Sequence, residues 1–227
     1  MKQKILMVVP CKGDADKALI SKWGWSIVYD YEHMFTFHIK EKNRKGLPEL
    51  YNQYLTEENR NKIIIYAHDD IRINDGEWYP KLMAEFVKGS SVVGVAGSSS
   101  VAMKKPTLWH LMNPPEGKNH SGAVAHPYDE SSECITSFGP YPKRVILLDG
   151  LFIAVKVSDI LDKGIKWDES FKFHHYDLDF SLQCHYAGLK LSTCGINIFH
   201  QSPGLRSLDD KSWNESQDIF WNKWGNK

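Results

Sequence analysis

An apolar run that ends abruptly in three polar residues constrains the fold of this chain more than any other feature. Residues 62–67 read Lys-Ile-Ile-Ile-Tyr-Ala, and His68-Asp69-Asp70 follows directly. A short run of β-branched and aromatic residues is typical of a strand that is buried on both faces, as in a parallel sheet. A second apolar run, at 4–9, ends at Pro10. In such sheets ligands bind beyond the carboxyl ends of the strands, so the polar residues that follow these runs are the first candidates for a site.

Strand and helix patterns alternate along most of the chain. Further strands are predicted at 35–40, 92–96, 145–148, 151–155, 189–194 and 196–199. Helices are predicted at 15–29, 47–55, 79–88, 158–164 and 177–187, and from 212 onward. The apolar face of the last helix is predicted to comprise Trp213, Phe220, Trp221 and Trp224. No regular pattern is visible between 97 and 144, which predicts a long loop that is either functional or disordered. The alternation predicts an α/β domain with a mainly parallel central sheet flanked by helices.

Length, charge and cysteine content exclude several classes of protein. The chain has 227 residues, enough for one sizeable domain. Its 28 basic residues balance its 28 acidic ones, so we expect no nucleic-acid partner. None of the four cysteines forms a C-x-x-C pair, which argues against a zinc ribbon or a thioredoxin site. No signal peptide and no apolar stretch of about 20 residues is visible, which predicts a cytoplasmic protein. The eight tryptophans leave peripheral membrane contact open.

The polar residues after the strands are candidates for a metal site. Two carboxylates and an imidazole in His68-Asp69-Asp70 can hold a divalent cation, and Mg²⁺ or Mn²⁺ bound there would bridge to phosphates. The alternative is a polar turn in which an aspartate caps a nearby amide. His200 also follows a predicted strand and is either a neutral imidazole ligand or a histidine bonded to loop carbonyls.

A second group of candidates lies in the C-terminal half. Asp177 is interpreted either as a general base or as the N-cap of the helix that it begins. Asp179 cannot share a helix face with it, since the two are only two residues apart. Trp109, with nearby histidines in the long loop, could stack on sugar rings or form a minor core under that loop. The histidines are His110, His120 and His126. No Walker A, G-x-G-x-x-G or G-x-S-x-G motif is present, which argues against the corresponding enzyme classes.

Taken in chain order, these motifs resemble family 2-like glycosyltransferases of the GT-A fold. The resemblance covers nearly the whole chain and rests on Val8-Val9-Pro10, His68-Asp69-Asp70, Val93-Gly94-Val95-Ala96-Gly97, Asp149-Gly150-Leu151-Phe152, Gly164-Ile165-Lys166-Trp167-Asp168-Glu169-Ser170-Phe171, Tyr176-Asp177-Leu178-Asp179, Ala187-Gly188-Leu189-Lys190 and His200. The chain departs from that family in three places. The asparagine that usually follows the opening proline is absent, since Cys11-Lys12-Gly13-Asp14 stands there. His68 stands at the first acid of the Asp-x-Asp motif, which looks like a divergent subgroup, and Tyr176 stands at the glutamate that precedes the base.

The resemblance implies a single domain that transfers a sugar from a nucleotide to an acceptor hydroxyl with inversion. About 1–97 would bind a UDP- or GDP-sugar, and about 98–227 would bind a glycan or lipid-linked acceptor, as in the assembly of bacterial surface polysaccharide. The implied roles fall into four groups. They are metal ligands (Asp70, His200 and His68, for Mn²⁺ or Mg²⁺), donor contacts (Pro10, Asp69 and Asp70), acceptor or sugar contacts (Asp149, Gly150, Trp109 and Asp179) and the catalytic base (Asp177).

Two other functions fit the same pattern less well. A nucleotidyltransferase shares this kind of sheet and metal site, but it usually has a glycine-rich basic loop after the first strand, where this chain has only Lys12-Gly13. A degenerate module that binds a nucleotide or sugar without turnover would explain the altered Asp-x-Asp motif. Turnover with a pH profile that depends on a base would exclude the degenerate module.

Overall fold

The computed structural model describes residues 4–15, 18, 35–101, 106, 109, 118–129, 132–201 and 211–225. Among these residues, strands and helices alternate in parts of the chain, but seven successive strands lie between 92 and 156. The strands are β1 (Lys4–Pro10), β2 (Phe35–Lys40), β3 (Lys62–Ala67), β4 (Ile71–Ile73), β5 (Val92–Gly94), β6 (Ala96–Ser98), β7 (His120–Pro127), β8 (Glu133–Gly139), β9 (Arg144–Val145), β10 (Leu147–Leu148), β11 (Phe152–Lys156), β12 (Leu191–Thr193) and β13 (Ile198–His200). The α-helices are α1 (Leu47–Asn52), α2 (Trp78–Val87), α3 (Val157–Asp162), α4 (Tyr176–Tyr186) and α5 (Lys211–Trp224).

The central sheet has the order β2-β1-β3-β11-β5-β12-β9. Strand β1 is parallel to β2 and β3, and β12 is parallel to β5, whereas β11 is antiparallel to both β3 and β5. The α/β prediction is confirmed, but the sheet is mixed rather than mainly parallel. The reason is that Phe152, the first residue of β11, pairs with Ala67, the last residue of β3, so β11 runs back along β3 from the edge where β3 ends.

A second sheet lies in the segment that was expected to be a loop. Its order is β10-β6-β7-β13-β4, and β8 pairs with β7. Strands β6, β7 and β8 all fall between 97 and 144 or begin just before it, so the prediction of a long irregular loop is wrong for the described residues of this segment. The sheet matters for function because β13 lies between β7 and β4 and carries His200 at its end.

An aromatic cluster fills the space between the central sheet and α4. The ring of Trp167 stacks on Phe180 with centroids 3.8 Å apart and contacts the edges of Tyr66 and Tyr51. The side chain of Asn52 accepts a hydrogen bond from the amide of Trp167 at 3.0 Å and donates to its carbonyl at 2.9 Å. This pair of bonds fixes α1 to the loop that precedes α4, so the first and last thirds of the chain share one core.

Helix α5 is anchored by a buried charge. Oδ1 of Asp179 on α4 accepts a hydrogen bond from Nε1 of Trp224 at 2.8 Å. The same oxygen forms an ion pair with Nζ of Lys223, also at 2.8 Å. Trp213, Phe220 and Trp224 are buried as predicted, but Trp221 is 37% exposed and lies outside the apolar face. None of the helices in the described part of the chain is long and apolar enough to cross a bilayer. The helix predicted at 15–29 lies outside the described residues except at Ala15 and Ala18.

Candidate active site

Two strand ends bring the candidate residues together. His68-Asp69-Asp70 follows β3, and His200 is the last residue of β13. His200 pairs with Ile71 across the β4–β13 ladder, and the amide of Gln201 donates to the carbonyl of Asp70 at 2.9 Å. The turn after β3 and the end of β13 are therefore held side by side by backbone bonds. Each strand end contributes side chains to one point.

Three side chains form a cluster that could hold a cation. His68, Asp70 and His200 each place a potential ligand atom within 4.8 Å of the others. Oδ1 of Asp70 lies 3.3 Å from Nε2 of His200 and 3.9 Å from Nδ1 of His68. Among the described residues, Asp70 Oδ1 and His200 Nε2 are buried atoms with no hydrogen-bond partner. Buried polar atoms are nearly always paired with protein, water or an ion, and these two atoms face one another, so the three residues fit a divalent cation.

The protonation states of two of the three side chains in the cluster suit a cation. Burial lowers the pKa of His68, and the charge of Asp70 offsets this only in part. Burial acts against the ionised form of Asp70, but His200 outweighs it and holds the pKa of Asp70 below its usual range. The same contact overcomes burial at His200 and raises the pKa of that imidazole. A charged Asp70 and a neutral His68 are the forms that bind a metal ion, whereas a cation would have to displace the proton that Asp70 favours on His200.

A third histidine lies beside this cluster. The ring of His126 on β7 is 5.9 Å from that of His200, measured between centroids. Burial, with a further contribution from His200, lowers the pKa of His126. His126 could not be placed here from the sequence, because β7 has no apolar alternation and was not recognised as a strand.

Asp177 occupies the first turn of α4 and faces the turn before β11. The amide of Gly150 donates a hydrogen bond to Oδ2 of Asp177 at 2.7 Å. The N-cap of α4 is His175, so Asp177 is not the cap that the alternative interpretation required. Burial, followed by the charge of Asp149, raises the pKa of Asp177 to about 7. A carboxylate that titrates near neutral pH is suited to general-base catalysis.

Gly150 leaves the space that this arrangement needs. A Cβ atom at Gly150 would lie 2.3 Å from the hydroxyl oxygen of Tyr176 and 3.1 Å from Cβ of Asp177. Any side chain at this position would therefore displace the start of α4. Asp149 accepts a hydrogen bond from the amide of Leu151 at 3.1 Å, which keeps its carboxylate in the same turn.

Two of the predicted sugar contacts are buried in the structure. Asp179 is 0% exposed, and both of its carboxylate oxygens are used, since Gln183 bonds the second one at 2.7 Å. Trp109 is 2% exposed and packs against His120 and Phe138 with centroids 5.3 Å from each. Neither side chain presents a surface to a ligand here. Asp179 holds α5 in place, and Trp109 belongs to the main hydrophobic core, where it packs against the second sheet.

A cleft of about 580 Å³ opens beside the cluster. This volume falls in the usual range for small-molecule sites. The lining comes from four separate segments of the chain, namely Pro10, Cys11, Lys12, Asn43, Arg44, Lys45, Gly46, Leu47, His68, Asp69, Asp70, Lys172 and Phe173. Four of the residues named from the sequence for donor or metal contacts are thus in one cleft with four cationic side chains. A cleft with this charge is suited to an anionic ligand.

Sequence reasoning missed the cations and the exposed aromatic ring in this cleft. Phe173 is 51% exposed, stacks on His68 with centroids 6.3 Å apart, and has the ammonium of Lys12 5.6 Å from its ring. Arg44 and Lys172 come together because the amide of Leu47 donates to the carbonyl of Lys172 at 2.9 Å. Single cations on loops that are far apart in sequence carry no spacing signal, so only the fold reveals them.

Comparison with known proteins gives one family match and several structural matches. The model of a glycosyltransferase-like family matches residues 28–224. A search of curated protein sequences gives no match. The solved structures that resemble the chain include A197 from STIV (12% identical, TM-score 0.52, 88% of this chain and 86% of that one), S. aureus TarS 1-349 in complex with UDP-GlcNAc (11%, 0.50, 92% and 61%), and GalNAc-T7 with UDP, GalNAc and Mn2+ (12%, 0.51, 98% and 48%).

At these identities the structural likeness concerns the fold, and it confirms the GT-A-like architecture expected from the sequence. The chain spans less than two thirds of the length of TarS 1-349 and of GalNAc-T7. The activities of those larger proteins are therefore not properties that this chain inherits by likeness alone.

Proposed function

The chain belongs to the glycosyltransferase-like family, and we propose that it transfers a sugar from a nucleoside-diphosphate donor to an acceptor hydroxyl with the help of a divalent cation. The observation that carries this proposal is the position of the His68, Asp70 and His200 cluster at the edge of the cationic cleft. A diphosphate in the cleft would lie next to a cation in the cluster. The UDP-GlcNAc bound to TarS and the UDP and Mn2+ bound to GalNAc-T7 support the same class of ligand.

The composition of the cluster favours Mn²⁺ over Mg²⁺. Two of its three donors are imidazole nitrogens, whereas Mg²⁺ prefers oxygen ligands and retains its water. Asp70 would supply the charged ligand, and His68 and His200 the neutral ones. When bound, the cation would act as a Lewis acid that offsets negative charge on the departing diphosphate.

The cleft supplies the other donor contacts. Arg44 and Lys172 would pair with phosphate oxygens, as guanidinium and ammonium groups commonly do. Pro10 and Asp69 line the same cleft and would flank the nucleoside, which we propose is that of UDP or GDP. The exposed ring of Phe173 would provide an apolar surface for the base or the sugar.

Asp177 would act as the catalytic base. With a pKa of about 7, its carboxylate can accept the proton of an acceptor hydroxyl near neutral pH. The acceptor oxygen would then form a bond to the anomeric carbon while the bond to the diphosphate breaks. Because a single base suffices for direct displacement, we propose that the configuration of the sugar is inverted.

The remaining roles concern the sugar and the acceptor. Asp149 and Gly150 lie beside Asp177 and would contact the transferred sugar or the acceptor. We propose a glycan or a lipid-linked saccharide as the acceptor, with bacterial surface polysaccharide as the context. Residues 1–97 contribute most of the cleft, and 98–227 contribute Asp149, Asp177 and His200, in line with a donor half and an acceptor half.

Thermal unfolding with a panel of nucleotides tests this proposal. UDP, GDP, CDP and ADP would each be added with and without Mn²⁺. A ligand that binds only the folded state at about 100 times its dissociation constant adds about 2.7 kcal/mol to the free energy of unfolding. We expect one diphosphate to raise the melting temperature in a manner that requires Mn²⁺.

Two substitutions locate the effect. Asp70→Asn should abolish the Mn²⁺-dependent part of the shift, whereas Asp218→Asn, at an exposed position on α5, should leave it unchanged. A wild-type protein whose melting temperature responds to none of the four nucleotides would contradict the proposal.

A further inference from the structure

Tyr176 lies between the candidate cation cluster and the turn before β11 that carries Gly150. Its hydroxyl oxygen is 3.2 Å from Nε2 of His68 and 3.3 Å from the carbonyl oxygen of Gly150. The side chain is 3% exposed, and its ring packs near Trp167 and Tyr51, with centroids 5.8 and 6.0 Å away. The hydroxyl of Tyr51 is also a polar neighbour, so the Tyr176 hydroxyl has a fixed position with three polar neighbours.

Because this hydroxyl has a single proton, its hydrogen bond to one neighbour determines which groups donate and which accept in the others. The carbonyl of Gly150 can only accept, so the Tyr176 hydroxyl donates its proton there. The hydroxyl oxygen is then an acceptor for His68, and Nε2 of His68 must carry a proton to use it. The opposite assignment, or donation to the Tyr51 hydroxyl, would leave the buried carbonyl unpaired, which is unfavourable.

The other nitrogen of His68 supports the same assignment. Nδ1 lies 3.9 Å from Oδ1 of Asp70, which is too long for a hydrogen bond. A proton on Nδ1 would gain nothing from this neighbour. A lone pair on Nδ1 would instead point toward the space that the cluster surrounds.

We propose that Tyr176 is a positioning residue that fixes the tautomer and the ring orientation of His68. The hydroxyl accepts the Nε2 proton of His68, so that Nδ1 presents its lone pair to a cation beside Asp70 and His200. The same hydroxyl ties this ring to the carbonyl of Gly150, whose amide binds Asp177. One side chain thus links the orientation of a metal ligand to that of the catalytic base.

This inference deepens the proposed function and in part rests on it, since the cation is the ligand that the proposed function requires. Metal-bound histidines commonly donate their second ring N–H to a neighbouring acceptor, and the loss of that acceptor weakens metal binding about 10–100-fold. Here the acceptor is the hydroxyl of Tyr176. Gly150 allows it, because a Cβ at that position would collide with the Tyr176 hydroxyl at 2.3 Å.

Nitrogen-15 NMR of the histidine rings in the metal-free protein tests the tautomer directly. At about pH 8, where an imidazole is ordinarily neutral, we expect His68 to show a protonated Nε2 and an unprotonated Nδ1. Loss of one ring signal in His68→Gln assigns it. The Nε2 proton should exchange slowly with water in the wild type and rapidly in Tyr176→Phe. A wild-type His68 protonated on Nδ1 overturns the inference even if Tyr176→Phe does not fold.

Titration with Mn²⁺, followed by the electron paramagnetic resonance signal of the free ion, tests the consequence. Tyr176→Phe should bind Mn²⁺ about 10–100-fold more weakly than the wild type. Tyr186→Phe is the matched control, since it removes the same hydroxyl from an exposed ring on the same helix and should not change the affinity. A purely structural Tyr176 would lower the melting temperature of the metal-free protein and leave the Mn²⁺ affinity of the folded protein unchanged, which would overturn the positioning role.

The two proposals fail in different ways. If the wild type has the expected His68 tautomer but binds no Mn²⁺ with any nucleoside diphosphate, the metal-dependent function is wrong and the hydrogen bond to Tyr176 stands. If Mn²⁺ binds equally to the wild type and to folded Tyr176→Phe, the positioning role is wrong and the metal-dependent function stands.

Discussion

At the residue scale, Asp177 has a specific electrostatic setting that makes its chemistry testable. Burial and the nearby charge of Asp149 raise its pKa to about 7, and a base is active only when it is deprotonated. The transfer rate should therefore rise with pH up to about 7 and level off above it. Asp177→Asn should lower the rate at least about 100-fold, the usual contribution of a general base. Initial rates measured across pH for both proteins check this.

The same substitution should stabilise the fold, which separates loss of chemistry from loss of structure. Because the pKa of Asp177 is raised on folding, the folded state keeps a proton that the unfolded state has lost between about pH 4 and pH 7. The free energy of unfolding therefore falls as pH rises through this window and stays reduced above it. Asp177→Asn lacks this loss and should be about 1–2 kcal/mol more stable than the wild type at pH 8 in urea denaturation. A less stable variant would contradict the prediction that the folded state disfavours the ionised carboxylate of Asp177.

Gly150 provides a steric prediction at the same scale. Alanine would place Cβ 2.3 Å from the Tyr176 hydroxyl, so Gly150→Ala should displace α4 and its Asp177. We expect a loss of about 1–3 kcal/mol in stability and a large loss of transfer activity. Gly76→Ala is the control, because its Cβ would meet no atom within 4 Å. Equal free energies of unfolding for the two variants would mean that the turn before β11 moves to accommodate the added Cβ without loss of stability.

At the residue scale, the sequence indicated the aspartates and the histidine of the candidate site better than the arginine and the lysine of the cleft. Asp70, Asp177 and His200 stand in motifs whose order along the chain resembles a known family, so their positions carried information. Arg44 and Lys172 stand in no motif, and their approach depends on a backbone hydrogen bond between 47 and 172. Such a long-range contact cannot be read from local pattern.

At the scale of elements, α5 depends on a buried charge on α4. Burial raises the pKa of Asp179 despite its ion pair with Lys223. Lys223→Met would leave this carboxylate without a cation, and removing one partner of a buried pair costs about 3–5 kcal/mol. We expect urea denaturation to show a loss toward the lower end, since Trp224 and Gln183 still donate to Asp179.

A matched substitution on the same helix calibrates this result. Lys211 pairs with Glu215 at 3.6 Å, and both side chains are exposed. Lys211→Met should change stability by less than about 1 kcal/mol. The double variant Asp179→Asn with Lys223→Met should recover part of the loss, because no buried charge remains. If Lys223→Met and Lys211→Met were equally mild, the burial of Asp179 would contribute little to the anchoring of α5.

The elements that the sequence predicted are those with a strong apolar pattern. β1 and β3 are continuous apolar runs, and the bounds of both were predicted to within one residue. β7 reads His-Ser-Gly-Ala-Val-Ala-His-Pro, with small and polar residues that fit a strand packed between others but show no period of two. β4 has only three residues and owes its form to pairing with β13. Tertiary pairing, which local pattern does not encode, explains both omissions.

At the scale of the whole molecule, the cleft exists only because four segments converge. The ends of β1 and β3, the turn before α1 and the turn before α4 all contribute to its wall. The two sheets meet at this place, since β3 belongs to one and β13 to the other. The cationic side chains of the cleft come from three of these segments. Their combined positive potential would act on a ligand that is bound in the cleft and contacts Asp70.

The charge of this cleft gives the last prediction. Arg44→Gln and Lys172→Gln should each weaken binding of the active nucleoside diphosphate about 3–10-fold, and leave binding of the corresponding uncharged nucleoside unchanged, because each removes a charge-assisted bond to phosphate. Lys163→Gln, an exposed change outside the cleft, should alter neither affinity. Calorimetric titration at low and high salt checks this, since the affinity of the wild type for the diphosphate should fall with ionic strength and that of the two variants should fall less steeply. Equal affinities of wild type and variants at low salt would mean that the phosphates lie elsewhere, and the role of the cationic wall would be wrong.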